Sequence, residues 1–216
     1  MPDSFGTLDK KKVQVPRFKE AGRMMMLTKL EESRFVKNEH TRLFINASRI
    51  VATVDDHFLC ATLDWWPPSK CNYGWCPWDQ AGILDLDLEN PMLEQALAGL
   101  APFTVRVGGT LQDLVVYDVG ELLSSEPCVP FTFNESALFS YTGGCLRMKR
   151  WDDLNQLFMK TGVSVAFGLN ALYGRSKSTT QIQVTSPWNP NNAENFIRYT
   201  QERAYPVRAW ELVGRH

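Results

Sequence analysis

Four short apolar runs separated by amphipathic helical stretches constrain the fold of this 216-residue chain more than any other feature. Phe58-Leu59-Cys60-Ala61-Thr62-Leu63-Asp64 reads as a first strand. Met92 to Leu100 reads as a helix, with Asn90 as its cap and Pro91 in the first turn, where a missing N–H costs nothing. Phe103-Thr104-Val105-Arg106-Val107 is a second strand, ended by Gly108-Gly109. Trp151 to Lys160 puts Trp151, Leu154, Leu157 and Phe158 on one helical face, and Gly162 closes it. Val163 to Leu169 is a third strand, Asn192 to Arg203 a third helix and Val207 to Val213 a fourth strand. Strands apolar on both faces, alternating with helices, imply parallel strands joined by right-handed crossovers. Four of them fit either half of a (β/α)8 barrel or a small open α/β sheet. The long connections Thr110–Arg150 and Ala171–Asn191 then lie at the carboxyl ends of strands, the functional face of both architectures.

The preceding segment has a different character. Residues 1–40 are polar, mixed in charge and poor in pattern, and read as a flexible leader with one helical piece around Met25–Asn38. Leu43-Phe44-Ile45 and Ile50-Val51-Ala52-Thr53-Val54, split by Asn46-Ala47-Ser48, suggest a short β-hairpin. A hydrophobic fraction of 44% is too rich for a disordered chain. The formal charge of −1 and the short run Lys10-Lys11-Lys12 argue against a nucleic-acid partner. No apolar run is long enough to span a membrane. Met24-Met25-Met26-Leu27 is too short for a signal peptide and is followed by Lys29, Glu31 and Glu32.

The five cysteines form no CxxC pair and accompany only three histidines, so neither a metal site nor a cofactor is expected. Cys71 and Cys76 flank a glycine-containing loop, and Cys128 and Cys145 bracket another polar stretch; these four are disulfide candidates. Cys60, inside an apolar strand, is expected to be a free core thiol. Asn46-Ala47-Ser48 and Asn134-Glu135-Ser136 fit the N-glycosylation pattern. Disulfides and glycosylation would point to the secretory pathway, whereas the first residues are not expected to act as a signal peptide.

Each strand ends on a short polar group or a glycine pair: Asp64-Trp65-Trp66, Gly108-Gly109-Thr110, Asn170 and Glu211. Hydrogen-bonding groups ringed beside aromatic surface are how a sugar is held, with polar groups on the hydroxyls and an indole face on the apolar ring face. Each residue also has an ordinary structural reading: Asp64 as the cap of the next turn, Trp65 and Trp66 as packing residues, Asn170 as a partner for loop backbone. Gly108-Gly109 is not a phosphate loop, since neither G-x-G-x-x-G nor G-x-x-x-x-G-K-[ST] occurs, which weighs against an open nucleotide-binding domain. No G-x-S-x-G is present, so acyl-transfer hydrolysis has no support.

Five stretches resemble one family: A-T-L-D-W-W-P-P-S-K-C-N-Y-G-W-C-P-W (61–78), V-R-V-G-G-T-L-Q-D (105–113), F-G-L-N-A-L-Y-G-R-S (167–176), N-A-E-N-F-I-R-Y-T (192–200) and W-E-L (210–212). They resemble, in order, the plant heparanase-like members of the β-glucuronidase family that includes animal heparanase and baicalin β-glucuronidase. The resemblance runs from about Leu43 to Leu212, implies a (β/α)8 barrel with a β-sandwich, and makes residues 41–216 the N-terminal half of that barrel. It implies a retaining mechanism with two glutamates about 5 Å apart, one protonating the leaving oxygen and one forming a glycosyl-enzyme. The partner implied is a glucuronide or a glucuronic-acid-containing oligosaccharide. The locations implied are secreted, cell-wall, vacuolar or lysosomal, or membrane-associated.

In the family the fourth strand continues as W-E-L-G-N-E, whose last glutamate is the acid/base. Here W-E-L is followed by Val213, Gly214, Arg215 and His216, so no catalytic residue is assigned and the barrel is expected to be cut in its fourth strand. Glu211 lies three positions before the missing glutamate and is expected on the other side of the strand. What carries over is sugar positioning: Asp64, Thr110 and Asn170 match uronic-acid-binding positions, Gly109 lets the backbone approach, and Trp65 is a further candidate. The chain is therefore expected not to hydrolyse; the alternative is a non-catalytic half-barrel binding acidic glycans.

Overall fold

The computed structural model describes residues 52–120, 127–175 and 186–212; from Val54 onward they belong to the unit Val54–His216. The leader at 1–40, the 40/41 boundary, Asn46 and the first arm of the hairpin lie outside the described residues. Of the second arm, residues 52–54 are described and are not strand.

Four parallel strands make the main sheet: β1 (Cys60–Leu63), β2 (Phe103–Val107), β5 (Val163–Gly168) and β6 (Val207–Glu211). They lie side by side in that order, so each joins the next one along the chain and the order never reverses. Three helices supply the crossovers: α1 (Pro91–Leu100), α2 (Met148–Thr161) and α3 (Asn191–Glu202). α1 starts as expected, with Asn90 Oδ1 accepting the Met92 N–H at 2.9 Å and Pro91 in the first turn. α2 starts three residues before the expected Trp151 and ends on left-handed Gly162. A register shift between Val165 and Ala166 makes a bulge at Arg208, which re-aims the end of β6.

The connection between β2 and α2 is more structured than an insertion. A 3-10 turn, Thr110–Leu114, follows β2. β3 (Val115–Asp118) then pairs in parallel with β4 (Gly144–Arg147) as a second, two-stranded sheet. The Cys128–Cys145 disulfide ties the intervening segment to β4, and Cys71–Cys76 closes the loop after β1.

Burial corrects one expectation. Only one face of the main sheet is covered among the described residues. Phe103, Val105, Val107, Val163, Val165 and Phe167 are buried in one core with Trp151, Leu154 and Phe158 of α2 and Phe196 of α3. Phe167 is its hub, with ring centres of Trp151 at 5.2 Å and Phe196 at 4.9 Å; edge-on and tilted aromatic contacts add to what area burial alone contributes. The alternate positions Thr104, Arg106, Ser164 and Ala166 are partly exposed, and Cys60, Thr62 and Ala209 are exposed. Cys60 is thus a free thiol but not a core one, because it sits on this polar face of an edge strand.

Candidate functional site

The carboxyl ends of the four strands gather on the polar side of the sheet. Asp64 follows β1, and its Oδ1 accepts the Trp65 N–H at 2.6 Å, so it does cap the turn. Burial raises its carboxyl above the ordinary carboxylate range, opposed by the N–H groups of Trp65 and Trp66 and by the charge of Arg106. Against it lies Gly109, with φ 118° and ψ −170°, a backbone region that is essentially glycine's own. A Cβ there would strike the Asp64 carboxylate. Backbone approach at Gly109 is thus the close packing of β2's end onto Asp64. Thr110, partly exposed, opens the following turn.

Arg106, in mid-β2, contacts Glu211 Oε2 through Nε at 2.8 Å and Nη2 at 2.7 Å. Register puts Ala166 of β5 beside Arg106, and Gly168 beside Glu211, so the guanidinium crosses β5 over small residues. The buried Gln112 carboxamide fills the remaining space: a Cβ at Gly168 would collide with its Oε1, which also accepts the Gly109 N–H at 3.3 Å. Glu211 thus lies on the same face of the sheet as Arg106, which engages it.

Asn170 is 5% exposed, and its amide serves the backbone: Nδ2 donates to Val115 O at 2.8 Å and Oδ1 accepts the Leu172 N–H at 2.9 Å. Its own N–H donates to the Tyr117 hydroxyl at 3.1 Å, and the Ala171 N–H donates to Asp113 Oδ1 at 3.0 Å. Burial holds the Tyr117 hydroxyl far above its usual pKa, and the neighbouring Asp113 adds to this while the Asn170 bond opposes it. Three successive N–H groups after β5 are thus fixed from below. Trp65 is 1% exposed and packs edge-on against Phe131 and Phe167; its ring is core. The half-buried Trp66 is the surface aromatic, with Lys70 Nζ 4.3 Å from its ring centre.

The structure thus brings Asp64 and Gly109 together, with Thr110 next in the chain, and uses Trp65 and Asn170 to build the walls. Arg106 and Gln112 were missed in the sequence reading. A charged residue between two valines in V-R-V was the available signal; nothing marked Gln112. Among the described residues, Asp118, Cys128 and Cys145 form a cluster with metal-ligand spacing, but both sulfurs are in the disulfide and are not thiolates. Asn134 is exposed in a turn where its Oδ1 accepts the Ser136 N–H at 3.1 Å. No described helix is long and apolar enough to cross a membrane.

A parallel α/β fold with its polar residues collected at the strand carboxyl ends defines the class. The chain belongs to glycosyl hydrolase family 79, whose N-terminal-domain model matches residues 40–215. It is 52% identical over 174 residues to heparanase-like protein 3 of Arabidopsis thaliana, covering 81% of this chain and 32% of that protein. It is 45% identical to heparanase-like protein 2 of the same plant, with the same coverage. Baicalin-beta-D-glucuronidase of Scutellaria baicalensis is 36% identical over 193 residues, 82% of this chain and 36% of that protein. The chain spans about a third of the length of the curated relatives it matches.

Proposed function

We propose that residues 41–216 supply the sugar-gripping half of a (β/α)8-barrel glycoside hydrolase acting on β-glucuronides or glucuronic-acid-containing glycans. The observation that carries this reading is the carboxylate–glycine contact between Asp64 and Gly109 at adjacent strand ends, in a chain of this family. The barrel reading is supported by strands that neighbour one another in chain order. In open nucleotide-binding sheets the order reverses at the ligand crevice, and Trp65-Trp66-Pro67-Pro68 stands where a phosphate loop would be.

In this role Asp64 accepts hydrogen bonds from sugar hydroxyls, Thr110 offers a hydroxyl beside it, and Asn170 keeps the loop after β5 in shape. Cleavage follows the retaining scheme: a protonated glutamate hands its proton to the leaving oxygen while a second attacks the anomeric carbon about 5 Å away, and water then releases the sugar. Neither glutamate is assigned in these 216 residues, so the chain alone is expected to bind without cutting. A non-catalytic module for acidic glycans is the second reading, favoured by the Arg106 cation on the same face. Two disulfides support a location outside the reducing cytosol, secreted, cell-wall, vacuolar or membrane-associated, with glycosylation at Asn134.

The test is a titration of the 216-residue chain with glucuronic-acid oligosaccharides, followed by amide chemical shifts. Shifts at Asp64, Gly109 and Thr110 are expected; their absence at millimolar sugar defeats the sugar-gripping role. In parallel, an aryl β-glucuronide should not be turned over above a mock purification.

A further inference from the structure

The Arg106–Glu211 pair makes none of the hydroxyl contacts assigned above to Asp64 and Thr110. It is nevertheless built with care: β5 carries Ala166 and Gly168 where the guanidinium crosses, and Gly108 leaves space that a Cβ would take from Arg106 and Gln112. An ion pair whose side chains are 34% and 30% exposed contributes little to stability by itself. The ionisable groups beside this guanidinium are Glu211 from β6 and Asp64 from the end of β1, whose carboxylate lies against Gly109 while the guanidinium lies against the adjacent Gly108. The third neighbour, Gln112, is neutral.

We infer that Arg106 is the positioning residue of the candidate site, a cation laid across β5 that holds the Glu211 carboxylate on the polar face of the sheet and turns its remaining field on Asp64. The inference rests on the sugar-facing reading of Asp64 for its purpose, but not for its electrostatics. Arg106 draws Asp64 toward the ionised, acceptor-only form that hydroxyl donors require, against the burial that favours the neutral acid. Glu211 takes up part of the same positive charge, so the two partners act on Asp64 with opposite sign.

The opposition gives the test. The Asp64 carboxyl is titrated by NMR in the 216-residue chain and in the variants Arg106→Met, Arg106→Lys and Glu211→Gln, with the amide spectrum reporting folding. Arg106→Met should shift the Asp64 midpoint upward, and Arg106→Lys should shift it less. The near-isosteric Glu211→Gln should shift it downward, because it removes a negative neighbour and frees the guanidinium. An Asp64 midpoint that does not rise in Arg106→Met, or does not fall in Glu211→Gln, overturns the inference. Should Arg106→Met not fold, the sign of the Glu211→Gln shift alone decides: downward supports the assignment, and upward or unchanged overturns it. If the opposed shifts appear while glucuronic acid gives no response, the positioning role stands and the sugar reading falls.

Discussion

At the residue scale, Gly109 and Asp64 behave as one unit. Replacing Gly109 by Ala forces a Cβ onto the Asp64 carboxylate and a backbone region that costs about 1–3 kcal/mol for other residues. Gly109→Ala should therefore lower stability by about 2 kcal/mol or more in urea denaturation and abolish the glucuronic-acid response. Asp64 makes a signed prediction about pH. Its folded carboxyl is raised by burial, so its contribution favours the folded state most below the unfolded carboxylate pKa and is lost as pH rises through the folded one. Asp64→Asn should be more stable than the parent at pH 7 and flatten this part of the pH profile, as seen in melting temperatures from pH 3 to 7. A parent chain that loses no stability over that climb would contradict the burial argument. Trp65 teaches a different lesson: an indole beside a sugar-site carboxylate reads as a stacking platform, yet the pleat turns it inward and leaves Trp66 outside.

At the element scale, the strand–helix alternation was legible because each element carried its own signal. Asn90 and Pro91 announced α1, Gly162 closed α2, and four β-rich runs became the four strands of the main sheet. β3 and β4 were not legible. Four residues each, such as V-V-Y-D, are too short to display a period, and their pairing spans a connection whose sequence looks like loop. The polar face was misjudged because Ala, Gly and Ser on β5 read as apolar filling rather than as clearance for Arg106. The Cys128–Cys145 disulfide bridges 17 positions, a loop whose closure in the unfolded chain is worth about 3 kcal/mol. Cys128→Ser with Cys145→Ser should lose about 2–4 kcal/mol in denaturant unfolding, whereas opening the five-position Cys71–Cys76 link should cost less. Trp151, fully buried and bonded through Nε1 to Thr200 Oγ1 at 3.0 Å, should cost about 3–5 kcal/mol as Trp151→Ala.

At the scale of the whole molecule, β1 and β6 each pair on one side only among the described residues. Unpaired strand edges beside a half-covered sheet invite association. The 216-residue chain should therefore show concentration-dependent self-association in light scattering, and a strictly monomeric solution at high concentration would argue that those edges are protected. The barrel itself could be argued only from strand order and resemblance, since no single residue encodes closure. One consequence follows from the bonds beneath the site. The turn after β2, together with β3, is stitched to the loop after β5 through Asp113, Val115 and Tyr117 on one side and Asn170 and Ala171 on the other, so the two do not vary independently. Anyone grafting a relative's loop onto this scaffold to change its preference would need to transplant both pieces at once; moving either alone would leave severed stitches in a dry interior.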